Sequence, residues 1–270
     1  MKNQIKWGFK KGVKAALSGL GYEVRRKATD RTRKIFPSEP FEAQLQLIRN
    51  ANKSEAIAIL DLGANRGQTA IQYRAKFPNS EIYCFEPFPN SVAQLRKQFS
   101  DDRRVHIIPK AVARSKGIAR FYINGFHETN SLFPRPLSAR RYYPKAAETQ
   151  KVVEVETIDI DSFLKKNNMA SVDIIKLDIQ GGELDALRGA EAILKTGKIS
   201  LIYTEIMFVP HYEGAPLFHE IWSFLSQFGY SLFEIYDLCR ATNGQLRYGN
   251  ALFVSEAIGK NAIDRYPDEP

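Results

Sequence analysis

The feature that most constrains this chain is a regular alternation of apolar runs and helical patterns. The apolar run "AIAILDLG" (56–63) precedes the helical pattern "QTAIQYRAKF" (68–77), and "EIYCFEP" (81–87) precedes "NSVAQLRKQF" (90–99). Strands that are apolar on both faces and are joined by helices indicate a mostly parallel sheet with helices on both sides. The chain is therefore predicted to be an α/β protein.

The alternation continues through most of the chain and stops near its end. Further elements are predicted as strands 105–112, 117–124, 151–158, 172–179 and 199–208, and as helices 37–50, with Ser38 as its N-cap, 159–167, 183–194 and 215–229. The last apolar runs, 230–237 and 250–255, are separated by a Gly-containing stretch with no helical pattern, which predicts a hairpin. We expect the sheet to finish with an antiparallel strand.

The net charge of +9 is confined to the N-terminus of the chain. Residues 1–34 hold 11 Lys and Arg against 2 Asp and Glu, so the rest of the chain is neutral overall, which argues against nucleic acid as the partner. Lysines alternate there with apolar residues at near-helical spacing. Two interpretations stay open: a basic amphipathic helix on an anionic membrane surface or a protein partner, or a helix that packs on the main domain.

Three segments are expected: a basic extension (1–40), a main domain (41–258) and a C-terminal tail (259–270). No apolar run reaches the roughly 18 residues of a membrane span, no signal peptide is predicted, and the two cysteines form no disulfide framework. We expect a cytoplasmic protein, which the basic extension could bring to the inner face of the membrane.

The turn "DLGANRG" (61–67) links the first predicted strand to its helix. Gly63 and Gly67 allow the backbone to approach a ligand, and Asn65 stands where a dinucleotide-binding turn carries its middle glycine. Asn tolerates the left-handed backbone conformation, so the turn can survive this change. A ligand-binding turn and a purely structural turn both remain open on this pattern alone.

Carboxylates follow several of the predicted parallel strands. They are Asp61, Glu86, Asp178 and Glu205, and ligands of open α/β sheets bind at this edge. Such an acidic rim disfavours the phosphates of a dinucleotide and suits a cation or a ligand that carries hydroxyls and an amine. Glu86 stands where an acidic residue accepts ribose hydroxyls; the alternative is a charge that favours the next helix start.

The blocks "ILDLGANRGQTA", "YCFEPFPNSVAQLRKQF", "NSLFP", "DIIKLDIQGGELDALRGAEAIL", "IYTEIMFVPHYEGAPLFHEIWSFLSQFGYSLFEIYD" and "NALFV" together resemble the FkbM family of S-adenosylmethionine-dependent methyltransferases, over about residues 55–256. The resemblance implies a class I methyltransferase (Rossmann-like) fold with strand order 3-2-1-4-5-7-6 and strand 7 antiparallel. It also implies S-adenosylmethionine as the methyl donor and O-methylation, often of sugars.

Carried over to this chain, the resemblance implies a set of cofactor contacts. They are Asp61, Gly63, Asn65 and Gly67 at the methionine end, Glu86 at the ribose, the neighbourhood of Ala111 at the adenine, and Ser131 near cofactor or acceptor. Gln180 stands where the family commonly has Glu. Because an amide cannot accept a proton as a base, Gln180 is not a catalytic candidate.

The predicted catalytic residues are Asp178, Glu205 and His211. Asp178 is the first candidate for the base or for a metal ligand; alternatively it binds the cofactor amino group or caps helix 183–194. His211 lies in a loop expected to cover the acceptor, although a lone loop His is more often a surface residue. A divalent metal held by Asp178 and Glu205 stays open.

The irregular stretch 126–145 is too long for an ordinary connection. Its candidate ligands for a carbohydrate or for the phosphate of a linked sugar are Arg135, Arg140, Arg141, Tyr142 and Tyr143; the alternative is an exposed insert.

The predicted function is O-methyl transfer to a sugar hydroxyl of a glycan or of a glycosylated or lipid-linked acceptor. The alternatives are an RNA methyltransferase that uses the basic N-terminus, a nicotinamide-dependent oxidoreductase and a non-catalytic Rossmann-like binding protein.

Overall fold

The structure is a computed structural model that describes residues 36–53, 56–136 and 148–264. The predicted helix within residues 1–34 and the candidate ligands Arg140, Arg141, Tyr142 and Tyr143 lie outside the described residues. Residues from Pro37 onwards form one compact unit. The segment boundaries at residues 40 and 258 stay a prediction.

In the described part of the chain, ten strands form two sheets. The strands are β1 (Ala58–Leu62), β2 (Glu81–Phe85), β3 (Val105–Ile108), β4 (Ala111–Val112), β5 (Gly117–Asn124), β6 (Thr149–Ile158), β7 (Val172–Leu177), β8 (Ile199–Met207), β9 (Ser231–Arg240) and β10 (Leu246–Val254). The main sheet has the order β3-β2-β1-β7-β8-β10-β9, which is 3-2-1-4-5-7-6 when only its own strands are counted. β10 runs antiparallel to β8 and β9. The predicted parallel sheet with an antiparallel strand near its end is therefore confirmed.

The second sheet was not predicted. It has the order β4-β6-β5, and it takes its first strand from the segment 105–112 that was predicted as a single strand. That prediction is wrong because the chain breaks at Pro109, which has no N–H to continue a ladder. β3 stays beside β2 in the main sheet, whereas β4 pairs with β6. This break turns Ala111 and Val112 away from the main sheet's hydrogen-bond ladder.

The helices of the described residues are α1 (Pro40–Asn50), α2 (Gln68–Lys76), α3 (Pro89–Gln98), α4 (Ile160–Lys166), α5 (Glu183–Arg188), α6 (Glu191–Lys195), α7 (Phe218–Ser226) and α8 (Glu256–Ile258). Two details differ from prediction. The N-cap of α1 is Glu39, not Ser38, because the Glu39 carboxylate accepts hydrogen bonds from the backbone N–H groups of Phe41 and Glu42. The predicted helix 183–194 is interrupted at Gly189.

Alternation along the strands divides the core between the two faces of the main sheet. On one face, Ile202 packs in a cluster with residues of α4, α5, α6 and α7. On the other face its neighbour Tyr203 meets Phe41 of α1, which also contacts Tyr73 of α2. Helices thus cover both faces, as predicted. No helix among the described residues is long and apolar enough to cross a membrane.

Candidate active site

The turn after β1 has the backbone geometry that its residues permit. Gly63, Asn65 and Gly67 all have positive φ, at 83°, 47° and 90°. A Cβ atom on Gly63 would lie 2.0 Å from the backbone oxygen of Asp178, so no side chain can stand there. Gly67 is the N-cap of α2, where a Cβ would meet the Phe99 ring at 2.7 Å. The turn is therefore packed directly against the end of β7.

Glu86 ties this turn to the end of β2. One carboxylate oxygen accepts a hydrogen bond from the backbone N–H of Asn65 at 3.0 Å, and the other accepts from that of Phe88 at 2.8 Å. Burial raises the pKa of Glu86 to about 7, although both backbone hydrogen bonds favour the charged form. A carboxylate has about four acceptor positions, so Glu86 keeps capacity for further donors.

A first cavity, the apolar cavity, lies between the turn, the end of β2 and the second sheet. Its apolar lining comes from Phe85, Ala111, Val112, Phe121, Leu132 and Ile179, and its polar lining includes Glu86, Asn65 and Asn130. Such a slot can hold a flat heteroaromatic ring against apolar walls, with hydroxyl groups on the buried carboxylate.

A second cavity, the polar cavity, adjoins the apolar one. The two share the lining residues Gly63, Asn65, Glu128, Asp178 and Gln180. The remaining lining of the polar cavity is Ala64, Gln68, Thr69, Thr129, Lys176, Glu205, Arg247 and Tyr248. Charged, amide and hydroxyl groups thus surround the second cavity, and the glycine turn forms a boundary that both cavities share.

Lys176 is a site residue that sequence reasoning missed. It lies on β7 directly opposite Asp61 of β1 in the parallel register, and its Nζ is 3.5 Å from Asp61 Oδ1 and 3.4 Å from Asp178 Oδ2. Although burial opposes the charge, Asp178 and Asp61 raise the pKa of Lys176, so the ammonium stays protonated at neutral pH. The available signal was a single lysine within the apolar strand "VDIIKLDI".

Asp61 does not line either cavity. Its side chain has no exposed surface, and burial raises its pKa despite the nearby Lys176 ammonium. The structure thus places Asp61 beneath Lys176, which itself lines the polar cavity. The predicted contact between Asp61 and the cofactor remains a prediction, and the contacts that the structure gives Asp61 are with Lys176.

Asp178 and Glu205 are brought together by Gln180. The Gln180 amide nitrogen donates to Asp178 Oδ1 at 2.8 Å and to Glu205 Oε2 at 2.9 Å. Burial, followed by the charges of Asp178 and Glu183, raises the pKa of Glu205 well above its usual range. The alternative that Asp178 caps the following helix is wrong, because its carboxylate contacts Lys176 and Gln180 instead.

Glu183 organises the loop that carries Gln180. Its buried carboxylate accepts hydrogen bonds from the backbone N–H groups of Ile179 at 3.0 Å and Gly181 at 2.9 Å. Burial raises the pKa of Glu183 to about 7. Glu183 thereby fixes the backbone on both sides of Gln180.

Ser131 and His211 also line neither cavity. The Ser131 hydroxyl is buried and donates to the backbone oxygen of Gln180 at 2.6 Å, although Asn130 and Leu132 on either side line the apolar cavity. His211 is 1 % exposed and its ring packs edge-on against Tyr248, so the alternative of a surface histidine is wrong. Burial, followed by the Arg247 and Arg135 charges, lowers the pKa of His211 to about 4.

Arg135 is the described member of the predicted loop ligands. Its guanidinium lies 5.4 Å from the centre of the Tyr212 ring, and it donates to the Tyr212 hydroxyl at 3.4 Å. It therefore contacts Tyr212, whose hydroxyl donates to the Gln180 side chain. Across residues 36–53, 56–136 and 148–264, no group of three or more His, Cys, Asp or Glu side chains is arranged to hold a metal ion.

Comparison with known proteins agrees with this architecture. The Methyltransferase FkbM domain matches residues 61–232. The 2-O-methyltransferase NoeI of Sinorhizobium fredii is 27% identical over 183 residues, which cover 66% of this chain and 74% of that protein. Methyltransferase 1 of Beauveria bassiana is 25% identical over 150 residues, 49% of this chain and 58% of its own length. The hexuronic acid methyltransferase AglP of Haloferax volcanii is 23% identical over 146 residues, 54% of each chain.

The match to the FkbM domain covers more than half of the chain, from the glycine turn after β1 to the start of β9. Within it lie the turn, the end of β2 and the Asp178–Glu183 loop, which together form the walls of the two cavities. The strand order of the main sheet is also the one that the family resemblance implies. The chain therefore belongs to the FkbM family and is an S-adenosylmethionine-dependent methyltransferase.

Proposed function

We propose that this methyltransferase acts on a hydroxyl oxygen of a sugar, in a glycan or in a glycosylated or lipid-linked acceptor. The observation that carries the proposal is the meeting of two unlike cavities at Gly63, Asn65 and Asp178. One combines an apolar wall with polar groups that include the buried Glu86 carboxylate, and the other is lined mainly by charged, amide and hydroxyl groups. A methyl donor and a polar acceptor need two such sites that share a boundary.

The apolar cavity fits the adenosine part of S-adenosylmethionine. The adenine would lie near Ala111 and Phe121, and the ribose hydroxyls would donate to Glu86. Gly63 leaves the turn open where a side chain would collide with the end of β7. When bound, this cofactor supplies a methyl group that its positively charged sulfur already activates for transfer. The protein's own task is then to bind the acceptor, align it and exclude water.

The polar cavity has the chemistry of a carbohydrate site. Sugar hydroxyls both donate and accept hydrogen bonds, and Gln68, Thr69 and Glu205 offer partners of both kinds. The half-buried Tyr248 adds an aromatic ring on which a sugar face can pack. Two relatives support this class of acceptor, because one is named a 2-O-methyltransferase and another a hexuronic acid methyltransferase.

Asp178 is the residue that we propose accepts the proton of the acceptor hydroxyl. Its side chain is 42% exposed and lines both cavities, while Lys176 and Gln180 each hold one of its oxygens. The acceptor oxygen would pass its proton to Asp178 as its bond to the methyl carbon forms. Burial raises the pKa of Glu205, whose side chain would position the acceptor by hydrogen bonding.

The donor set around Asp178 and Glu205 favours proton transfer over metal assistance. A cation shared by the two carboxylates would have to lie between them, where the Gln180 amide points both of its N–H groups. An amide nitrogen that donates to both carboxylates cannot be a metal ligand. We therefore propose that the reaction proceeds by acid–base chemistry at Asp178.

The cofactor assignment is tested by calorimetry with S-adenosylhomocysteine and with NADH. Binding of the first and not the second is expected, and the reverse result would overturn the assignment. The acceptor is tested with radiolabelled S-adenosylmethionine and a panel of nucleotide sugars, free oligosaccharides, lipid-linked oligosaccharides and RNA. Label on RNA alone would contradict the sugar proposal and would support the alternative of an RNA methyltransferase.

The choice of base is tested by two variants. Asp178→Asn keeps the shape of the side chain and should lower kcat by about a hundredfold or more, whereas His211→Gln, outside both cavities, should lower it far less. Equal losses in the two variants would contradict the assignment of the base to Asp178.

We also propose that residues 1–34 bring the enzyme to an anionic membrane surface on the cytoplasmic side. Their excess of lysine and arginine supports this location. The full chain should sediment with phosphatidylglycerol vesicles and not with neutral phosphatidylcholine vesicles. Equal sedimentation with both would leave the protein-partner interpretation.

A further inference from the structure

The side chain of Gln180 occupies the central position between the two carboxylates of the site. Its amide nitrogen has two hydrogens, and the structure directs one to Asp178 and the other to Glu205. Its amide oxygen accepts from the Tyr212 hydroxyl at 2.7 Å. Because the carboxylates present oxygens to the amide, the opposite orientation would place the amide oxygen against two other oxygens.

The backbone around Gln180 is held in an uncommon conformation. Gln180 has a φ of 59° and Gly181 a φ of 102°, and a residue other than glycine adopts positive φ infrequently. Ser131 donates to the Gln180 backbone oxygen, and Glu183 accepts from the Gly181 backbone N–H. A Cβ on Gly181 would lie 2.9 Å from Ala215. Contacts from three segments thus maintain a strained conformation that delivers the amide to this position.

Several charged groups surround Asp178 and Glu205, so the uncharged amide donor of Gln180 between them matters for their interaction. The charged and titratable groups that surround Asp178 and Glu205 include Asp61 on β1, Lys176 on β7, Glu183 on α5, Tyr203 on β8, Arg247 and Tyr248 on β10, Glu128, and Tyr212 after β8. Lys176 contacts Asp178 on its other oxygen. Without the Gln180 amide nitrogen between them, the carboxylates of Asp178 and Glu205 would repel each other. Carboxylate pairs of this kind ordinarily share a proton or a cation.

We propose that Gln180 is a positioning residue that holds Asp178 and Glu205 side by side by giving one amide N–H to each, in the place where a shared proton or a divalent cation would otherwise lie. The role of Asp178 rests on the proposed function, whereas the role of the amide concerns the carboxylate pair itself. It follows that the identity of residue 180 decides whether this site needs a divalent cation.

Gln180→Glu is the decisive variant because it changes the amide to a third carboxylate of the same shape. We expect it to bind Mn²⁺ in calorimetry at least about tenfold more tightly than the wild type does. Without added metal, methyl transfer should fall at least about tenfold at pH 7, and the rising limb of its pH profile should move about one pH unit upwards. Gln227→Glu, which makes the same change at an exposed position on the C-terminal side of α7, is the matched control.

A second variant keeps the proposal testable if the first does not fold. Gln180→Met removes both N–H donors without adding charge, and it should keep S-adenosylhomocysteine affinity within about threefold while kcat falls at least about tenfold. Equal losses of affinity and kcat would make Gln180 a cofactor contact and overturn the proposal. The proposal would also be overturned if Gln180→Met kept the wild-type kcat and pH profile, or if a folded Gln180→Glu showed unchanged Mn²⁺ affinity.

The Mn²⁺ titration separates this proposal from the proposed function. If the wild type methylates no sugar but Gln180→Glu gains Mn²⁺ affinity, the sugar acceptor is wrong and the positioning role of Gln180 stands. If the wild type methylates a sugar and Gln180→Glu gains neither Mn²⁺ affinity nor a shifted pH profile, the positioning role is wrong.

Discussion

The Nζ atom of Lys176 lies 3.5 Å from Oδ1 of Asp61, a carboxylate whose side chain has no exposed surface. The two residues are directly opposed on adjacent parallel strands. Lys176 also contacts Asp178, which lines both cavities. One ammonium group therefore pairs with a buried carboxylate and with a carboxylate of the site.

Removal of this ammonium should be costly for stability. Lys176→Met leaves the buried Asp61 carboxylate without its partner, and we expect the free energy of unfolding to fall by about 3–5 kcal/mol. The double variant Lys176→Met, Asp61→Asn should recover part of that loss in urea unfolding. Lys53→Met is the control, since Lys53 pairs with Asp173 nearer the surface and should cost about 1 kcal/mol or less. Equal losses in the two lysine variants would contradict the assigned role of Lys176.

The affinity for S-adenosylhomocysteine should depend on the ionisation of Glu86. Ribose hydroxyls bind the ionised carboxylate better, and the pKa of Glu86 is about 7 in the folded chain. We therefore expect Kd to rise about tenfold from pH 8 to pH 6, measured by calorimetry. Glu86→Gln should bind more weakly at pH 8 and lose this dependence, whereas the exposed Glu156→Gln should keep it. A Glu86→Gln variant that binds as the wild type does would refute the ribose contact.

Glu183 should make the folded state less stable as the pH rises. Its pKa is raised from an unfolded value of about 4.5 to about 7 when folded, so its protonation favours folding. This stabilisation is fully present below pH 4.5 and is lost as the pH rises through 7, by up to about 3 kcal/mol. Relative to Glu183→Gln, the wild type should therefore lose stability between pH 4.5 and 7 in urea unfolding. Parallel pH curves for the two proteins would contradict this.

Alanine should be tolerated very differently at two glycines with similar φ angles, Gly63 and Gly214. At Gly63 a Cβ would lie 2.0 Å from the Asp178 backbone oxygen, whereas at Gly214, with a φ of 73°, it would meet nothing within 4 Å. Gly214→Ala should lower the free energy of unfolding by only about 1–2 kcal/mol, because alanine there must adopt the left-handed conformation. Gly63→Ala should cost more and should weaken S-adenosylhomocysteine binding at least about tenfold, because the turn must move. Similar unfolding midpoints and affinities would disprove the close approach of the turn to β7.

Much of the fold could be predicted because its signals are local. The strand–helix alternation and the missing helix before β10 are read within short windows, and both were correct. The break at Pro109 was also readable, since proline interrupts a strand ladder, yet the apolar residues around it favoured one long strand. The pairing of β4 with β6 depends on residues about 45 apart in sequence, which no local pattern specifies.

The candidate site was predictable to a smaller extent. Glu86 and Asp178 follow parallel strands, and the sheet gathers such ends at one edge, so their place near a ligand cavity followed from pattern alone. Lys176 was missed because a lone lysine within an apolar strand shows no partner until the register of β1 and β7 is known. His211 was expected in a loop over the acceptor or, alternatively, at the surface, but tertiary packing buries it against Tyr248 and outside both cavities.

The sequence by itself determined the alternation of strands and helices in the main sheet, the glycine turn at Gly63, Asn65 and Gly67, and the acidic residues after the strands. These features depend on backbone preferences and on residues close in the chain. Only the tertiary structure decided that Lys176 opposes Asp61 and that Gln180 lies between Asp178 and Glu205. Contacts between side chains on different strands are set by sheet order and register, and those follow from burial of the whole core.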